Sequence, residues 1–182
     1  MPKILQNIDV KIYKEAKELF YNEGYRNVDM KIIAKKSGIA VGTLYNYYPN
    51  KKSIFLKILE ESWNYTFRDL NSIEDSNKEV IFKKIISILY DDIKKRKGIG
   101  INLKKEVDNN DVDFMKMENY IVENLQNIIK NIINKDLINK YSKIIEKITY
   151  TILTNLYILI QVDGDNREEN INFILEQYES FL

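Results

Sequence analysis

Between Val41 and Lys51 the chain reads Val-Gly-Thr-Leu-Tyr-Asn-Tyr-Tyr-Pro-Asn-Lys, and this is where its chemistry is concentrated. Thr43, Tyr45 and Tyr47 set three hydroxyls along one short segment. Hydroxyls of this kind suit phosphate oxygens, which they position without reading sequence. Lys51 follows at the start of the next predicted helix, where an ammonium and the unpaired N–H groups of a first turn together attract an anion. Other chemistries are closed. The chain has no Cys and no His, which excludes disulfides, Cys/His zinc sites, a cysteine nucleophile and every Ser-His pair. The paired acids Asp91-Asp92 and Glu168-Glu169 are adjacent on predicted helices and point apart, so they make no catalytic carboxylate pair. No enzyme activity, metal or cofactor is expected.

The elements that must carry these groups are helices. Six Gly and two Pro in 182 residues are too few for a chain that turns every ten residues. Ile8, Ile12, Ala16, Leu19 and Phe20 recur at spacings of three and four, which predicts a first helix. Asn7 or Asp9 can cap it, and Gly24 can end it with a positive φ. Asp29 caps a short second helix with Met30, Ile33 and Ala34 on one face, stopped by Ser37-Gly38. A third short helix is predicted from Val41 to Tyr47, ended by Pro49-Asn50. Two short helices joined by a tight Gly38-Ile39-Ala40 turn are helix-turn-helix anatomy, in which the second enters the major groove and the first crosses the phosphates. From Lys51 onward longer helices are predicted: a fourth to about Asn71, a fifth around Val80–Ile93, a short sixth between Ile99 and Asp108, a seventh from Phe114, an eighth from Tyr141 to Leu159 and a ninth from Ile171 to Phe181.

The run Ala16-x-x-Leu19-Phe20-x-x-x-Gly24-Tyr25, then Ile33-Ala34-x-x-x-Gly38-Ile39, then Gly42-Thr43-Leu44-Tyr45-x-Tyr47-Tyr48-x-x-Lys51 resembles the DNA-binding domain of the tetracycline-repressor (TetR-type) family. The resemblance covers the first third of the chain. It implies a homodimeric, all-helical transcriptional regulator, usually a repressor released from a palindromic double-stranded operator by a small molecule. It also implies that Val41, Gly42 and Asn46 can face base edges, Val41 against a thymine methyl and Asn46 on adenine, with Gly42 allowing close approach. Lys31 matches a position that reaches a base or phosphate, and Tyr48 stands where the family prefers Phe, as packing. Val28 departs from the family's usual small hydroxyl residue, and Ile32 from a position that is often polar.

The expected architecture is therefore all-α, with about nine helices: a three-helix helix-turn-helix domain over 1–50, then a helical effector-binding and dimerisation domain over 51–182. Charge is divided accordingly. Residues 1–60 carry 11 Lys/Arg against 6 Asp/Glu, and residues 61–182 carry 17 against 21, within a whole-chain net of +1. A basic first third is what a polyanion partner requires. The eighth helix is apolar nearly all round, because Leu153, Tyr157, Ile158 and Ile160 fill the gaps in its stripe, and such a helix needs cover on both sides. Self-association through the last two helices supplies it, with Leu156, Leu159, Ile174 and Tyr178 as expected interface residues. Trp63, Phe67, Tyr90 and Tyr120, with Phe114, Tyr150 and Tyr157, can line an apolar cavity for a small apolar or amphipathic effector, and Asn155 or Gln161 can anchor its polar end. The alternative is the same fold controlled by a protein partner, with no small-molecule effector. The most apolar stretch, Ile152 to Val162, is far shorter than the roughly 20 residues of a membrane span, so a cytoplasmic protein is expected.

Overall fold

The computed structural model describes residues 7–97 and 111–182. Every regular element among them is helical: α1 (Ile8–Asn27), α2 (Met30–Lys36), α3 (Val41–Tyr47), α4 (Lys51–Asn71), α5 (Lys78–Lys95), α6 (Val112–Lys130), α7 (Lys135–Lys140), α8 (Ile144–Asp163), α9 (Arg167–Tyr178) and a closing 3-10 turn (Glu179–Phe181). That makes nine α-helices among the described residues. The helix expected between Ile99 and Asp108 lies outside them. The chain forms two compact units, residues 1–62 and 63–182, so the division falls within α4, twelve residues beyond the expected domain boundary.

In the first unit, α1 runs through Gly24, which alone breaks the helical conformation at φ 79°, the left-handed value expected of it. Asn7 precedes the helix with its own left-handed backbone and makes no side-chain cap. Asp29 does cap α2: its Oδ1 accepts the Ile32 N–H at 2.8 Å. Asp29→Ala is expected to cost about 1 kcal/mol of stability, read as a lower denaturant midpoint with an unchanged slope. The core of this unit is Ile12, Ala16 and Phe20 of α1, Ile33 and Ala34 of α2, Leu44 of α3, and Ile54, Phe55 and Ile58 of α4, all essentially inaccessible. Phe55 stands edge-on to Phe20, with centroids 5.0 Å apart. Val28, the departure from the family pattern, is wholly buried.

The second unit packs α5, α6, α8 and α9 and the end of α4 around Phe67, Phe82, Ile86, Leu89, Leu125, Ile152, Leu156 and Ile171. Side-chain caps start its helices: Asn77 for α5, Asp111 for α6 and Asn134 for α7. The short α7 was not anticipated, and α8 begins three residues later than expected because Lys143 adopts φ 58° between them. A polar network ties α5 to the α8–α9 connection. Tyr90 donates its hydroxyl to the Gly164 carbonyl (3.0 Å), as does the Lys94 ammonium (2.5 Å), and Asn170 Nδ2 donates to the Tyr90 hydroxyl (3.1 Å). Arg167 clasps Asp91 through two bonds of 2.6 and 2.7 Å, which raises the guanidinium's pKa further. A second network is buried: Thr66 donates to Asp92 (2.5 Å), Arg96 donates to Thr66, and the Arg96 guanidinium lies 4.2 Å from the Trp63 ring.

Candidate nucleic-acid interface

The turn between α2 and α3 is closed by main-chain geometry. Past the Ser37 cap, Gly38 N–H donates to Lys35 O (3.1 Å) and Ile39 N–H to Ala34 O (3.0 Å). This is the Schellman pairing, and it requires the residue after the cap to be left-handed. Gly38 meets that requirement at φ 65°. The chain then reverses into α3, which turns Leu44 into the core and leaves its other faces outward. Gly42, Tyr45, Asn46 and Tyr47 are exposed, while Val41 and Thr43 are half-buried. Tyr45 and Tyr47 are 51% and 45% accessible, values that rule out a core role for either ring. Nothing lies within 4 Å of where a Cβ would stand on Gly42, so this corner of α3 is open. Lys31 is exposed on α2.

Tyr48 turns the other way. It is buried, as expected of packing, and its hydroxyl meets the Lys57 ammonium at 3.3 Å. That hydrogen bond holds Lys57 above the ordinary lysine pKa.

Lys51 departs from its expected role. Its ammonium faces inward and donates to the carbonyls of Tyr25 (2.8 Å) and Val28 (2.9 Å), with Arg26 O at 3.4 Å, while sitting 4.4 Å from the Tyr25 ring centroid. An ammonium has three donors, and three carbonyls converge on this one. Lys51 therefore ties the end of α1 to the start of α4, and the phosphate anchor expected there is a clamp. Spacing alone could not reveal this, because the three carbonyls lie 23 to 26 residues away in sequence.

The expected effector residues separate. Trp63, Phe67 and Tyr120 come together, with ring centroids 5.5 and 5.8 Å apart in sequence along the cluster, and the Tyr120 hydroxyl bonds Asn64. Tyr90 stands apart as a fully buried post beneath Gly164. Asn155 pairs with Gln177 on α9 at 3.0 Å. An open groove of about 340 Å³ runs instead between α5 and α9, lined by Val80, Phe82, Leu175 and Leu182 with Glu79, Lys83, Glu176 and Glu179 at its edges. None of the nine expected residues lines it. Among the described residues no cluster of acidic groups could hold a metal ion, and no helix is long and apolar enough to cross a membrane.

Three of the four expected dimer residues also need correction. Leu156, Ile174 and Tyr178 belong to the protomer's own core, and Leu159 is half-buried against it. A side chain enclosed by its own fold cannot cover a second copy. The large apolar groups left outside on α8 and α9 are Tyr150, Ile158, Val162 and Phe173.

Comparison with known proteins agrees with this geometry. Residues 12–58 match the family described as bacterial regulatory proteins, tetR family. The uncharacterized HTH-type transcriptional regulator YuxN of Bacillus subtilis is 29% identical over 97 residues, 52% of this chain, and the match spans only a third (33%) of that protein's length. The fatty acid metabolism regulator protein of Bacillus subtilis is 25% identical over 145 residues, covering 75% of this chain and 69% of that protein. In fold, the chain is similar to the transcriptional regulator FadR of Bacillus subtilis solved in complex with stearoyl-CoA, with a TM-score of 0.71 and 19% identity over 92% of this chain and 96% of that one. A left-handed Gly38, an outward α3 and the matched segment 12–58 lead to one conclusion: residues 12–58 form a helix-turn-helix domain of the kind found in the tetR family of bacterial regulatory proteins.

Proposed function

We propose that the chain is a cytoplasmic, homodimeric repressor that reads a palindromic operator through α3 and releases it on binding an amphipathic acyl thioester. The reading rests above all on α3, whose buried Leu44 holds it in place while Gly42, Tyr45, Asn46 and Tyr47 project outward. In the proposed docking, α3 lies in the major groove. Asn46 supplies the paired donor and acceptor that match adenine, Gly42 admits close approach, and Val41 meets a thymine methyl. Thr43, Tyr45 and Tyr47 bond phosphate oxygens and fix register, and Lys31 adds charge from α2. Two copies meet half-sites about one helical turn apart, joined through the apolar Ile158, Val162 and Phe173.

The effector class is suggested by the relative solved with stearoyl-CoA and by the regulator of fatty acid metabolism that matches three quarters of this chain. Such an effector has to bind the DNA-free state more tightly, and a coupling of about 1–3 kcal/mol is sufficient for control.

Selection of duplexes from the source chromosome by the purified full chain tests the reading. It should enrich one palindromic sequence, and saturating stearoyl-CoA should release it. Failure to enrich any duplex would overturn the DNA assignment, and a complex that persists under stearoyl-CoA would overturn the effector class. On the selected operator, Asn46→Ala should cost about 1–3 kcal/mol at adenine-bearing positions and relax preference there. An unchanged base profile would exclude Asn46 from readout.

A further inference from the structure

With Lys51 turned inward, the cationic charge near the α2–α3 turn comes from other residues. The ammonium of Lys11, from the first turns of α1, lies 3.2 Å from where a Cβ would stand on Gly38. Lys11 is exposed, and its ammonium has no hydrogen bond or ion pair among the described residues. Two physical features hold it at this place. Gly38 has no side chain to displace it, and the carbonyl end of α2 is the negative end of a helix dipole. Lys35 and Lys36, both exposed, occupy the last turn of the same helix. Three ammonium groups therefore gather at one end of α2, and Gly38 is only three residues from the first residue of α3, a reach of at most about 10 Å.

We infer that Lys11 is a DNA-backbone contact: its ammonium, seated over Gly38, binds a phosphate flanking the groove that α3 enters. This extends the proposed interface to α1 and rests on the DNA-binding reading. The geometry explains why the turn suits glycine twice over. Gly38 supplies the left-handed backbone of the Schellman closure, and its missing side chain leaves the space that the Lys11 ammonium occupies. Lys11 contributes charge without base selectivity, because a phosphate presents the same oxygens at every step.

The salt dependence of binding separates this role from simple compensation of the α2 dipole. Binding of the full-length protein to a duplex that it has itself selected from a random-sequence pool is followed by anisotropy across a salt series. Each phosphate contact contributes about 0.9 to the slope of log K against log salt. Lys11→Gln should lower the magnitude of that slope by about 0.9 per protomer and weaken binding evenly across sequences. Lys11→Arg should keep it, and Lys83→Gln in the second unit should leave it unchanged. A Lys11→Gln protein with the wild-type slope overturns the inference, and a lowered melting temperature alongside that slope identifies a dipole role alone. If Lys11→Gln does not fold, a slope lost in Lys11→Arg overturns the inference and a slope kept supports it. Failure of the wild type to select any duplex is a different result, which overturns the DNA-binding reading itself.

Discussion

Lys51→Ala is expected to destabilise the first unit by about 2–4 kcal/mol, given that a hydrogen bond to a charged group contributes about 1.5–3 kcal/mol and this ammonium is partly solvated. The lysine donates to Tyr25 and Val28 carbonyls at 2.8 and 2.9 Å and covers the Tyr25 ring. Removing it leaves acceptors at the end of α1 without their partner and frees the α1 end from the α4 start. For a unit of this size, 1 kcal/mol moves the melting temperature by roughly 4–8 °C, so the transition of the first unit should fall by about 8 °C or more on this scale. Calorimetry of the full chain reads this directly. DNA affinity should fall with the folded fraction, while at temperatures where the variant is folded the salt slope should match wild type. Lys51→Arg should recover only part of the stability, because a planar guanidinium cannot place three donors on carbonyls arranged around a point charge. A melting temperature equal to wild type in Lys51→Ala, with a reduced slope, would return Lys51 to the role of phosphate anchor.

The second large effect contrasts two residues one half-turn apart on α8. Leu156 is 0% exposed, and Ile158 is 49% exposed. Leu156→Asp forces a carboxylate into a packed apolar core, at a cost above about 4 kcal/mol, which is exceptional for a single substitution. The second unit should then lose its cooperative transition. Ile158→Asp should leave protomer stability within about 0.5 kcal/mol of wild type, as surface changes do, and yet dissociate the proposed dimer, since it would place like charges opposite one another across a two-fold interface. Phe173→Asp, at 52% exposure on α9, should act in the same way. Sedimentation velocity with parallel circular dichroism distinguishes unfolding from dissociation. A folded Ile158→Asp, Phe173→Asp protein that still sediments as a dimer would place the interface elsewhere.

Local signals were legible wherever the chain satisfies a requirement within a few residues. Asp29 before Met30 announced a cap, and Gly38 after Ser37 announced a left-handed closure. Both are met by bonds to partners five or fewer residues away. The long helices of the second unit were equally visible, since a stripe at spacings of three and four is a property of the helix itself. The boundary between α7 and α8 was not, because Lys143 takes a left-handed backbone that nothing in its side chain calls for. For the candidate site, periodicity separated Leu44 from its neighbours on α3, but it could not tell Tyr45 from Tyr48. Both are tyrosines near one helix end; the family resemblance marked Tyr48 as packing, and the structure buries that ring while leaving Tyr45 outside.

The sequence by itself determined an all-helical chain with a glycine-closed corner, a hydroxyl-bearing third helix and the family resemblance of its first third. These follow from backbone conformational limits and helical periodicity, which act over one or two turns. The tertiary structure alone decided the direction each charged or apolar group faces. It turned Lys51 onto carbonyls of α1 and brought Lys11 to Gly38. It drew Leu156, Ile174 and Tyr178 inward while leaving Ile158 and Phe173 outside, and it took Tyr90 for the support of Gly164. Each of those outcomes depends on contacts between residues far apart in the chain, whose energies exist only once the helices have packed.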